Sequence, residues 1–219
     1  MTDPTKMLQK TAVIYAKTGP AIYHSHHDMI RFWERAVKRA GLPVRLTQGF
    51  NPRPRIIFPH ALGLGISSRH EEVELELFQP MAVEELLSRL RAAAGDTLEI
   101  RDAVNLPAVK KSRQMHTSEY SISGWPEPSR AGLPAALRDI LAMDAIRVER
   151  GAPGNRREMD IRPYLRRLEF EPDDGTLRLV LVHTLTGSAR PDEVGKLAAE
   201  ATGADYRDLV IEKTAMRLV

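Results

Sequence analysis

Apolar positions alternate in two rhythms along this chain, and the switches between them mark out the predicted elements. A β-forming run at Ala12–Lys17 predicts a first strand. Ser25 then caps a helix, with Asp28 three residues on to complete a capping box. Met29, Ile30, Trp33, Ala36, Val37 and Ala40 recur at the three- and four-residue spacing of a buried stripe, and Gly41 and Pro43 end it. Val44–Thr47 and Ile56–Phe58 predict two arms around a turn at Gly49–Pro54. Val73, Leu75 and Leu77 alternate with Glu72, Glu74 and Glu76, which predicts a strand with one solvated acidic face. A helix over about Ala82–Ala94, ended by Gly95, leads to a strand near Leu98–Val104.

A similar order follows. Strands are predicted at about Glu119–Gly124, Ile146–Arg150, Tyr164–Phe170, Leu177–Thr184 and Leu209–Leu218, with helices at Pro134–Met143 and Pro191–Ala201. Each half thus reads as βαββαβ. The expected architecture is α+β, with two ferredoxin-like domains in tandem at 1–106 and 119–219, a linker at 107–118, and antiparallel sheets carrying helices on one face.

Charge adds a contrast that the apolar pattern does not contain. Net charge is +3, but residues 1–69 hold eleven Lys/Arg against three acids, while residues 70–108 hold three arginines against nine acids. The split suggests a basic face and an acidic face on one domain. The 219 residues contain no cysteine, which excludes disulfides, thiolate metal sites, iron–sulfur ligation and a cysteine nucleophile in this chain. No apolar run approaches the roughly 18 residues that span a bilayer, and the amino end has no signal-peptide core, so a cytoplasmic location with no membrane contact is expected.

Candidate chemistry gathers where the backbone turns. In Gly49-Phe50-Asn51-Pro52-Arg53-Pro54-Arg55 two prolines stiffen the turn, so Gln48, Asn51, Arg53 and Arg55 would meet a ligand with little ordering cost. Guanidinium forks match phosphate oxygens, and Phe50 would stack on an unpaired base or pack in the core. His24, His26 and His27 sit at a predicted helix start that favours anions, and Lys17 lies just before it. In the second half Arg162 and Arg190 are further anion-binding candidates. Asp160 and Arg162 are expected to form an ion pair that positions the Asp-Ile-Arg-Pro segment. Adjacent histidines point around a helix rather than converging, so no metal site is expected, and no catalytic residue is assigned.

These segments resemble the bacterial radical SAM-linked proteins, a domain of unknown function found alone or attached to radical SAM enzymes. The resemblance is carried by Tyr15-Ala-Lys-Thr-Gly-Pro20, Ser25-His-His-Asp28, Arg39-Ala-Gly-Leu-Pro43, Gly49-Phe-Asn-Pro-Arg-Pro54, Leu62-Gly-Leu-Gly65, Asp160-Ile-Arg-Pro163 and Arg190-Pro191. It implies a radical SAM partner that holds S-adenosylmethionine on its own iron–sulfur cluster, with no cofactor in this chain. The leading expectation is a noncatalytic RNA-binding or substrate-presenting partner of such an enzyme, with tRNA or rRNA as ligand. The alternatives are a metal-independent endoribonuclease resembling the CRISPR repeat-processing proteins, and a protein-docking module that uses the acidic strand or the second domain.

Overall fold

In the computed structural model, residues 3, 5–107, 113–152 and 154–219 are described, and the chain divides into two compact units, Met1–Gln114 and Met115–Val219. Most of the predicted linker, 108–112, lies outside the described residues. Both units are mixed α+β, with antiparallel strand pairs and helices.

In the first unit the order is β1 (Gln9–Lys17), α1 (His26–Arg39), β2 (Ile56–Ile57), β3 (Ser67–Leu77), α2 (Val83–Ala94) and β4 (Glu99–Leu106). The strands lie side by side as β4-β1-β3-β2. Ser25 and Asp28 form the expected capping box: Asp28 N–H donates to Ser25 Oγ at 3.2 Å and Ser25 N–H donates to Asp28 Oδ2 at 3.1 Å. α1 buries Met29, Phe32, Trp33, Ala36 and Val37, while Ile30 and Ala40 are only half-buried. Trp33, fully enclosed, meets Tyr15 edge-on at 5.2 Å and packs with Val13, Val73, Leu75, Leu86 and Leu90. Each such aliphatic side chain contributes roughly 1.5–3 kcal/mol by leaving water.

The glutamates of β3 do not form a solvated face. Glu74 and Glu76 are 0% and 2% exposed. Their charges are met by cations brought from several places in the chain. Lys10 Nζ, itself buried, lies 2.6 Å from Glu74 Oε2. Arg113, expected to be a linker cation, donates through Nε to Glu74 Oε1 at 2.9 Å and through Nη2 to Glu72. Arg45 pairs with Glu76 Oε2, and Arg55 Nε stands 3.9 Å from Glu76 Oε1. Alternation is therefore real, but one face is apolar core and the other is a layer of paired charge. An unpaired carboxylate there would bear the full cost of desolvation.

The second unit runs β5 (Met115–Ser123), α3 (Glu127–Arg130), α4 (Leu133–Ala142), β6 (Arg147–Arg150), β7 (Arg157–Asp160), β8 (Leu165–Glu171), β9 (Thr176–Thr184), β10 (Gly187–Ser188), α5 (Pro191–Thr202) and β11 (Val210–Leu218). Its main strands lie in the order β11-β5-β9-β8. β5 starts at Met115, inside the segment expected to be linker. The β6–β7 hairpin is an addition that the apolar pattern does not announce. Arg150 ties it to α5 through a bidentate pair with Glu193, both distances 2.7 Å, and through the Ser188 carbonyl.

Beneath the second sheet Ser118 Oγ and His183 Nε2 share a hydrogen bond of 2.6 Å. Burial, and then the nearby charges of Lys213 and His116, lower the His183 pKa from its ordinary 6.5 to about 4. The unfolded chain binds more protons than the folded one between those values, so folding stability rises as pH climbs from about 4 to 6.5 and this contribution is flat above. Replacing His183 with Gln removes that slope, which denaturant titrations at several pH values would read; an unchanged slope contradicts the assignment. Glu74→Gln leaves Lys10 buried beside a neutral partner. It should cost about 3–5 kcal/mol in chemical denaturation, whereas a loss under about 1 kcal/mol, the usual size for a surface pair, would refute the buried-pair account.

Candidate nucleic-acid interface

Residues 44–57 leave the edge of β3 as a tongue. At its base Val44 bridges Leu77, and Arg45 N–H donates to the Glu76 carbonyl at 2.6 Å. The arms then pair with each other: Arg55 N–H to the Arg45 carbonyl at 2.6 Å, Leu46 opposite Pro54, and Thr47 N–H to the Arg53 carbonyl at 2.8 Å. Gly49, at φ +141°, makes the turn that an L side chain would resist. At the tip Gln48, Phe50, Asn51 and Arg53 project from the turn, and Phe50 is 106% exposed rather than packed in the core. Arg53 Nη1 lies 3.8 Å from Glu34 of α1, which sets the tongue beside that helix. Arg55, nearer the base, is about half exposed and shared with Glu76.

The histidines at the start of α1 do not act together. His26 packs edge-on against Phe58, ring centres 5.2 Å apart, and burial followed by the charge of His27 pushes its pKa down. The rings of His26 and His27 lie 6.3 Å apart. His24 turns a buried Nδ1 inward, with no hydrogen-bond partner for that atom among the described residues. The helix start itself is already satisfied by its capping box, and Asp28 places a carboxylate at the positive end of the dipole. An anion there would meet that carboxylate, contrary to expectation.

Lys17 corrects the sequence reading more sharply. It ends β1 opposite Ser68 and is 1% exposed, so it is no part of a basic surface. Burial lowers its pKa, with Glu71 opposing the shift, and Nζ has no hydrogen-bond partner among the described residues. Arg162 is likewise occupied: its guanidinium donates to the Leu141 carbonyl at 2.6 Å and the Met143 carbonyl at 3.1 Å, where α4 ends. Asp160 accepts from the backbone N–H groups of Ile146 and Arg162 at 2.8 and 3.0 Å, so it positions the segment through the backbone rather than through the Arg162 side chain. Arg190 is exposed, but Asp192 and Glu193 stand in the first turn of the helix it begins.

A further set of cations, outside the loops, lies on α1. Arg31, Arg35 and Arg39 recur every four residues and so share one exposed helix face. With His24, Asp28 and Thr97 they line a cleft of about 430 Å³. Arg31 Nη1 is 3.9 Å from Asp28, whereas Arg35, Lys38 and Arg39 have no ion pair among the described residues. The i, i+4, i+8 spacing is the sequence signal for this face. Together the tongue and the outer side of α1 make one basic region with an aromatic tip.

Among the described residues no three of His, Asp and Glu are placed to hold a metal ion, and no helix is long and apolar enough to cross a membrane. No curated protein matches the chain. It is similar to a solved structure described as an unknown protein from Galdieria sulphuraria, at 15% identity over 96% of this chain and 98% of that one. The TM-score is 0.27, too low for that likeness to bear on fold or function. A family model matches residues 10–191, from the start of β1 to the first residue of α5. The chain belongs to this family, DUF2344, uncharacterized proteins conserved in bacteria.

Proposed function

We propose that the protein is a noncatalytic binder of single-stranded RNA that presents its ligand to a radical SAM enzyme in the cytoplasm. The observation that carries this reading is Phe50, fully exposed at the tip of a tongue braced by Pro52 and Pro54. A free phenyl ring on a stiff support suits base stacking, which is worth about 1–3 kcal/mol per base and tolerates any sequence. Asn51 and Arg53 beside it, and Arg31, Arg35 and Lys38 on α1, supply donors for the phosphates between stacked bases. The strand orders β4-β1-β3-β2 and β11-β5-β9-β8, each with a helix after the first and third strands, support reading both units as ferredoxin-like domains in tandem. The radical SAM partner rests on the motif resemblance.

Binding is better supported than cleavage. His26 is spent on Phe58, and neither His24, His26 nor His27 hydrogen-bonds a hydroxyl among the described residues that it would activate. Docking through the β3 glutamates loses its basis, because those side chains are buried and paired.

Fluorescence anisotropy with an unstructured RNA at low salt tests the reading. Wild type should bind, Phe50→Ala should weaken binding by about 5- to 150-fold, and Phe50→Trp should preserve it. Arg53→Ala should weaken all sequences alike and reduce the slope of log K against log salt by about one. No binding by wild type at low salt contradicts the proposal.

A further inference from the structure

We infer that the α1 cleft is a phosphate-monoester site, so that the RNA is held by a phosphorylated terminus while its bases run toward the tongue. Identifying the ligand as RNA rests on the proposed function; the chemistry of the cleft does not. Arg31, Arg35 and Arg39 stand at successive turns of one helix, about 6 Å apart along its axis. All three arginines line one concavity, and only Asp28 brings a carboxylate into it. That carboxylate is committed elsewhere, since its Oδ2 accepts from Ser25 Oγ at 2.6 Å and from Ser25 N–H.

Three cations against one anion leave the cleft at +2, with His24 neutral. A terminal phosphate carries close to −2 at pH 7, since its second pKa is near 6, whereas a diester within the chain carries only −1. The cleft therefore matches the end of a strand better than its middle. Its volume of about 430 Å³ takes a phosphate with its sugar, and Thr97, reaching in from the turn between α2 and β4, adds a hydroxyl donor. Arginine forks at this spacing approach a phosphate from more than one side, which charge-assisted, bidentate hydrogen bonding rewards.

The test uses one RNA sequence in three forms, with a 5′-phosphate, a 3′-phosphate or hydroxyls at both ends, and a nucleoside monophosphate as a competitor. Wild type should bind one phosphorylated form about tenfold or more tightly than the hydroxyl form, the gain expected of one or two charge-assisted hydrogen bonds. Arg35→Ala/Arg39→Ala should bring all three forms to the same affinity, with an unchanged melting temperature because both residues are exposed. Arg35→Lys/Arg39→Lys should recover part of the gain. Equal wild-type affinity for the three forms overturns the inference and leaves RNA binding intact, as does a gain that survives in the double alanine variant. Absence of RNA binding, with a monophosphate that binds wild type but not the variant, would keep the cleft as a monoester site but overturn the RNA terminus as its source.

Discussion

Burying carboxylates in the central strand of a small sheet is the constraint around which the first unit is organised. Glu74 and Glu76 lie out of water on β3, and each must be met by a cation brought from elsewhere in the chain. Lys10 comes from β1, Arg113 from the end of the unit, and Arg45 and Arg55 from the two arms of the tongue. These pairs do more than neutralise charge. Because Glu76 is reached from both arms, the electrostatics that make β3 tolerable also clamp the root of the loop that carries Phe50.

Stiffness at the tip follows from a second, local cause. Pro52 and Pro54 restrict φ, Gly49 supplies a turn at positive φ, and the Thr47–Arg53 hydrogen bonds close the neck. The aromatic ring is then held outward by backbone chemistry, while hydrophobic burial of Tyr15, Trp33 and the leucines of β3 and α2 fixes the platform beneath. α1 serves both purposes: its inner face closes the core and its outer face presents Arg35 and Arg39 without carboxylate partners among the described residues, so one helix joins folding to recognition.

Much of this is legible from residues alone, for identifiable reasons. The capping box at Ser25–Asp28, the stripe of α1, and the strand–helix order depend on local spacing, which a sequence displays directly. What the residues conceal depends on partners distant along the chain. Alternating glutamates look the same whether water or Arg113 covers them, and Lys17 looks like a loop cation until the strand is seen to run through it into the interior. Phe32 escapes the periodic stripe because it stands one position before Trp33, and the β6–β7 hairpin escapes it because its strands are mostly charged. The α1 arginines are visible at four-residue spacing, but their significance comes only with the cleft they line, which holds one carboxylate and which Thr97 helps to close. Phe50 shows the reverse: a residue that composition would send to the core is kept at the surface by the turn chemistry around it.

The most direct test of this organisation is amide hydrogen exchange on Glu76→Gln. If the buried carboxylate clamps the tongue, the amides of Arg45, Thr47, Arg53 and Arg55 should lose protection while those of the β1–β3 ladder keep theirs. Unchanged protection across the tongue would show that its order does not come from β3, and the carboxylate clamp would be refuted.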